Sequence, residues 1–189
     1  MRITEHVTNS LLADGIISDE ETEIIQFGLE SIWDNAIGML LTVSVGIFYG
    51  KILSAILVWA MLFFLRKNAG GYHAQTKGRC LILSVAILAA VFGIYALHMN
   101  TDSFVNIITV ISGGVIWCMA PIGNPAKMLD EVERRVYKKR TRFILVTEGL
   151  VFICAGIFGL DLLCQSVSMT FFIVSISLIM GKAKLYIHK

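Results

Sequence analysis

Four stretches of the chain, residues 81–97, 104–120, 143–160 and 162–180, each run seventeen to nineteen residues with at most one charged side chain. Runs of that length match the roughly 20 apolar residues with which a helix crosses a hydrocarbon core, and in lipid each backbone N–H and C=O has to find its partner inside the spanning structure. An all-α polytopic membrane protein follows. The rest of the composition agrees: 56% of the 189 side chains are hydrophobic and 16% charged, with a mean hydropathy of +0.75, far more apolar than a soluble domain of this length.

Two shorter apolar segments, 36–49 and 52–65, flank Gly50-Lys51 and are fourteen residues each. A hairpin of two short helices is the preferred reading, the first lengthened by Ile32 and Trp33 and the second letting Arg66 snorkel; one long tilted span is the alternative. Residues 1–35 carry eight of the fourteen acids and a single base, Arg2, and do not read as membrane. Ser18-Asp19-Glu20-Glu21 has the form of a capping box, and Ile25, Leu29, Ile32, Trp33 and Ala36 follow helical spacing. This predicts an amphipathic surface helix that runs into the first span. No removable leader is read at the N-terminus, so the spans themselves direct insertion.

Charge orients the spans. The connections at 98–103 and at Asp161 hold no Lys or Arg, whereas 66–79 holds four, 127–142 seven and the tail three. The positive-inside rule places those three basic regions in the cytoplasm, which gives six spans with both termini inside, or five with the N-terminus outside. The whole chain, 1–189, reads as a single membrane-embedded domain.

Between two apolar runs lies a polar island, Arg66 to Cys80, which contains Gly70-Gly71, His73 and Cys80. His73 and Cys80 are the pair with the ingredients of nucleophilic catalysis: a thiol becomes a nucleophile when a base, nearby cations or a helix N-terminus favours its thiolate. Cys80 precedes the run starting at Leu81 and is therefore expected at a helix start, with Lys77 and Arg79 close in sequence. In an unbroken helix the seven-residue interval would separate the pair by roughly 10 Å along the axis, too far for proton transfer. A break is therefore expected at Gly78 or at Gly70-Gly71, giving a folded-back or re-entrant segment whose glycine amides are candidates for an oxyanion hole. Asn68, Gln75 and Asn124 are the candidates to orient the imidazole.

The loop after 120 has its own logic. Asn124-Pro125 suits an N-cap followed by a first helical residue, and Asp130/Arg134 and Glu131/Arg135 are i,i+4 pairs with the acid first. Lys138, Lys139, Arg140 and Arg142 then cluster before the next span. They read either as a solvated face touching anionic lipid or, in the case of Lys138, Lys139 and Arg140, as a dock for an acidic peptide. Glu148, within an apolar run, reads as functional by default or as a partner of that cluster. The four cysteines form no CxxC pair or Cys/His metal spacing, and no P-loop appears, so neither a metal nor another cofactor is expected. A nucleic-acid partner is not expected either.

Arg66, Gly70-Gly71-Tyr72-His73 and Cys80 seven positions further on resemble the core motif of the accessory gene regulator B (AgrB) family of membrane cysteine endopeptidases. The Ala120-Pro121-Ile122-Gly123-Asn124-Pro125 stretch, the basic region and the overall length are also similar. The resemblance implies Cys80 as nucleophile, His73 as general base and then acid, and Arg66, Gly70 and Gly71 in support. It further implies a homodimer that acts at the cytoplasmic face of the cell membrane. The implied substrate is an AgrD-type precursor peptide, cut at the end of its future ring through an acyl-enzyme thioester and closed into a thiolactone or lactone for Gram-positive quorum sensing. A non-catalytic exporter or scaffold for an amphipathic acidic peptide is the alternative.

Overall fold

The computed structural model describes residues 2–72, 76–97, 102–123 and 130–187. Among these the chain forms seven helices: α1 (Arg2–Ala13), α2 (Asp19–Phe48), α3 (Ile52–Ala69), α4 (Lys77–Leu97), α5 (Asp102–Met119), α6 (Glu131–Ile157) and α7 (Asp161–Ile187). Residues 1–41 and 42–189 make two compact units. The first holds α1, which the sequence pattern did not suggest, and the N-terminal part of α2. Half of the expected capping box opens α2, the Glu21 carboxylate accepting from the Ser18 N–H at 3.0 Å and from its hydroxyl at 2.8 Å. The amphipathic stretch and the first span are one continuous helix of 30 residues.

The second unit starts with the hairpin. Gly50, at φ +67°, and Lys51 separate α2 from α3, which excludes the single tilted span. At Gly46 an added Cβ would overlap that of Ala55, so the two helices leave the turn almost in contact. The Lys51 ammonium reaches Gln165 Oε1 at 3.3 Å, which ties the turn to the start of α7, and burial pulls its pKa below the ordinary lysine value. Each fourteen-residue segment is thus the apolar part of a longer helix, α3 carrying Arg66 and Lys67 in its last turn.

Helix α7 is the hub, packing against α3, α4, α5 and α6. Of its apolar window 61% is buried, against at most 28% in the other spans. Small hydroxyl residues make that possible, since they let neighbouring backbones approach closely. A buried hydroxyl without a partner costs about 1–3 kcal/mol, and those of α7 are satisfied. Ser166 and Thr170 donate to the carbonyls of Leu162 and Ser166 four residues back, and Ser168 donates across to Val105 of α5 while meeting the Tyr95 hydroxyl of α4. Two apolar clusters line the hub, one around Phe92, Tyr95 and Met169 and the other around Leu65, Ile116, Phe171 and Leu178.

Five helices, α2, α3, α4, α5 and α7, are long and apolar enough to cross a membrane, where six spans were expected. The one left out, α6, begins with the basic cluster; its second half is apolar and exposes Phe143, Val146, Leu150, Ile153 and Ile157. Its start is capped by Asp130, whose carboxylate accepts from the Glu133 N–H at 2.6 Å while the Glu133 side chain returns to the Asp130 N–H. Asp130, expected to face Arg134, serves instead as a helix cap. Asn124 and Pro125 lie outside the described residues.

Candidate active site

The site begins where α3 ends. Gly70 has φ +71°, a left-handed backbone that strains any side chain, and its N–H donates to the Arg66 carbonyl at 3.0 Å, closing the helix. A Cβ at Gly70 would also collide with the Ile122 carbonyl oxygen. Ile122 donates its N–H to the Ala69 carbonyl at 3.0 Å and pairs with Gly70 as an isolated parallel bridge. The segment after α5, with a cis Ala120–Pro121 bond, therefore lies along the exit of α3.

Next in line, Gly71 has φ +137° and sits so close to Ser177 of α7 that a Cβ would overlap the serine hydroxyl. The Tyr72 N–H donates to the Ser177 carbonyl at 2.9 Å, with Ser177 Oγ at 3.2 Å. The glycine pair is thus a break, one that ends α3 ahead of His73 rather than between His73 and Cys80. Gly78 is no break: it lies inside α4. Nor is the Gly70 amide available to an oxyanion, being already donated to Arg66.

Helix α4 opens under a threonine cap, Thr76 Oγ1 accepting from the Arg79 N–H at 3.3 Å. The Cys80 N–H then makes a helical bond to the Thr76 carbonyl at 3.1 Å. Cys80 consequently occupies the first turn, half-buried, as expected. Amide dipoles at a helix start favour a thiolate over a thiol, and the half-buried Arg66 guanidinium at the end of α3 lies within electrostatic reach of the Cys80 sulfur. Arg66, Gly70 and Gly71 thus lie together at the exit of α3, with Cys80 within electrostatic reach of Arg66. His73, Gln75 and Asn124 lie outside the described residues, and the third candidate orienter, Asn68, turns its amide nitrogen back onto the Phe64 carbonyl at 2.9 Å.

The basic cluster divides. Lys138, Lys139 and Arg140 are exposed on the early turns of α6, whereas Arg142 stacks on Trp117 of α5 with its guanidinium carbon 4.4 Å from the ring centroid. Glu148 is 8% exposed and shares the inward face of α6 with Thr141, Leu145 and Ala155. Its Oε2 has no hydrogen-bond partner among the described residues. Of the remaining cysteines, Cys118 and Cys154 are exposed on apolar helices and the Cys164 thiol donates to the Phe152 carbonyl at 3.7 Å.

Sequence reasoning did not find Ile122 as the partner of Gly70, although the Ala-Pro stretch that carries it drew notice, and it passed over Ser177. A serine in an apolar run marks a close helix contact but does not say with what.

Comparison with known proteins shows which family the chain resembles in sequence. The family model described as accessory gene regulator B matches residues 3–181. An AgrB-like protein of Clostridium perfringens strain SM101 is 24% identical over 152 residues, covering 77% of this chain and 69% of that protein. Protein FsrB of Enterococcus faecalis is 24% identical over 137 residues, 71% of this chain and 55% of its own length. A second AgrB-like protein, from C. perfringens strain 13, is 23% identical over 152 residues, 77% of this chain and 69% of that protein. No solved structure matches the chain.

Proposed function

The chain belongs to the accessory gene regulator B family, and from that premise we propose that it is a membrane cysteine endopeptidase that trims and cyclises a signal-peptide precursor. The observation that carries the reading is Cys80 in the first turn of α4 within electrostatic reach of Arg66, at the end of the helix whose glycine exit leads on in sequence to His73.

The chemistry runs as follows. His73 takes the Cys80 proton, and the thiolate, favoured by Arg66 and the helix start, attacks the carbonyl at the end of the future ring. The C–N bond breaks as the imidazolium protonates the departing amine, and the precursor's C-terminal tail leaves. The rest of the peptide stays on Cys80 as a thioester. An internal Cys or Ser of the peptide then attacks that thioester, giving its proton to His73. The Cys80 sulfur leaves and recovers a proton, and a thiolactone or lactone is released. Exchange of one thioester for another is nearly balanced, so ring closure conserves the activation of the cleaved bond.

In the membrane we place six crossings, the apolar half of α6 being the sixth, with the α3–α4 connection, the basic start of α6 and both termini in the cytoplasm. That orientation presents Cys80 to a precursor made on the same side. Lys138, Lys139 and Arg140 hold its acidic tail, and the protein works as a homodimer.

The test is tail release from a cognate precursor in membranes. Cys80→Ala should abolish it and His73→Ala nearly so, while Cys118→Ala, Cys154→Ala and Cys164→Ala should each leave it within about twofold of wild type. Equal loss in all four cysteine variants would signal a folding defect. Full release by Cys80→Ala would sink the protease and favour an exporter or scaffold.

A further inference from the structure

The α3–α4 connection is anchored from outside itself, by α7. Ser177 provides two contacts: its carbonyl accepts the Tyr72 N–H at 2.9 Å, and its side chain fills the space a Cβ on Gly71 would need. One turn further along the same face, Gly181 leaves room for the incoming backbone. A Cβ built there would lie 2.9 Å from the Gly71 carbonyl carbon and 3.0 Å from the Tyr72 nitrogen, tighter than real Cβ contacts tolerate against backbone. Another turn on, the Lys184 ammonium stands 5.3 Å from the centre of the Tyr72 ring. Residues 177, 181 and 184 follow i, i+4, i+7 spacing and so share one face of α7.

We propose that Ser177 and Gly181 are positioning residues that dock the Gly71–Tyr72 backbone and thereby fix the point from which the chain runs on to His73. The inference rests on the protease reading given above. A catalytic His is commonly held by a hydrogen bond from a third side chain. Here the chain leading into the His is itself held, by a backbone bond that no substitution at Tyr72 removes, apart from proline, and by two shape contacts that need small residues on α7. Displacing a catalytic group by about 1 Å can cost about 10²-fold in rate, and a methyl group at Gly181 has to move the 71–72 backbone or α7 itself.

The experiment uses the full chain in membranes with Cys118, Cys154 and Cys164 replaced by alanine, so that Cys80 is the sole thiol. In that background Gly181→Ala and Ser177→Val, two different intrusions on one contact, should each lower kcat for tail release by about 10²-fold while KM stays within about threefold. Both should also shift the pH profile of Cys80 alkylation by iodoacetamide, measured without precursor, toward that of an ordinary thiol, because the imidazole no longer assists. Gly156→Ala, whose added Cβ meets nothing within 4 Å, is the control for glycine replacement in a helix and should match the background. An unmoved alkylation profile in both variants overturns the proposal whatever happens to kcat, since misfolding alone does not preserve an assisted thiol. A kcat equal to the background in either variant overturns it as well. Cys80→Ala, run alongside, separates the two claims: if it still releases the tail the protease reading has failed, and if it is inactive while Gly181→Ala is fully active only the docking role has failed.

Discussion

The two glycine-bearing breaks at opposite ends of α3 each open on a glycine of nearly the same φ and have different surroundings. At the α2–α3 turn, Gly50 at φ +67° is part of a closed local set of bonds, Gly50 N–H to Ile47, Lys51 N–H to Gly46 and Ala55 N–H to Lys51, at 2.7–3.0 Å. Nothing lies within 4 Å of a Cβ built on Gly50. At the far end Gly70, at φ +71°, is crowded by Ile122, more than fifty positions away, and the next two residues lean on Ser177, over a hundred away. A connection that only reverses the chain closes its backbone bonds locally, even where a side chain such as Lys51 reaches Gln165 of α7. One that has to hold chemistry in place borrows partners from distant helices, and so can be broken from a distance.

The largest effect is expected at the crowded end. Gly70→Ala combines a left-handed backbone with a collision against the Ile122 carbonyl, and should reduce tail release by about 10²-fold or more, read as initial rates on membranes of equal protein content. Gly50→Ala meets only the backbone term, about 1–2 kcal/mol. It should lower the thermal unfolding midpoint in detergent while leaving tail release per folded molecule within about twofold. Equal loss of activity in the two variants would erase the distinction between turn and site. The smallest effect concerns charge rather than shape: replacing Lys138, Lys139 and Arg140 with glutamine should raise KM for the precursor a few-fold at low ionic strength, the difference closing near 1 M salt as screening shortens to about 3 Å. A KM difference independent of salt would remove the docking role of that face.

Much of this was legible in the chain. The apolar runs located five of the six expected spans, the run at 143–160 lying in α6, which is not among the five; Gly50-Lys51 marked a hairpin, and Cys80 ahead of Leu81 marked a helix start. The need to shorten the distance between His73 and Cys80 demanded a break; Gly70-Gly71 ends α3 ahead of His73, and α4 begins at Lys77. Gly78 was equally plausible as a residue type; what decides against it is the Thr76 cap, which starts α4 ahead of it. The role of α7 was hidden for a physical reason. Spanning helices are apolar on all sides, so hydropathy does not tell the lipid face from the packed face, and Ser177 and Gly181 look like any small residues in such a run. Spans counted by uninterrupted apolar length also came out short, because helices continue through residues such as Glu30, Asp34, Arg66 and Lys67 at their ends. Glu148 was visible as an acid in an apolar run, but not its burial on the inward face of α6 while Lys138, Lys139 and Arg140 stay exposed.

The central claim is covalent catalysis by the thiol at the start of α4, and intact-protein mass spectrometry tests it most directly. Protein in membranes is mixed with a cognate precursor shown separately to bind, then quenched in acid and weighed. The account predicts a wild-type adduct equal to the precursor minus its tail, released tail in the same sample, and neither in Cys80→Ala. Tail and adduct produced equally by Cys80→Ala would contradict it.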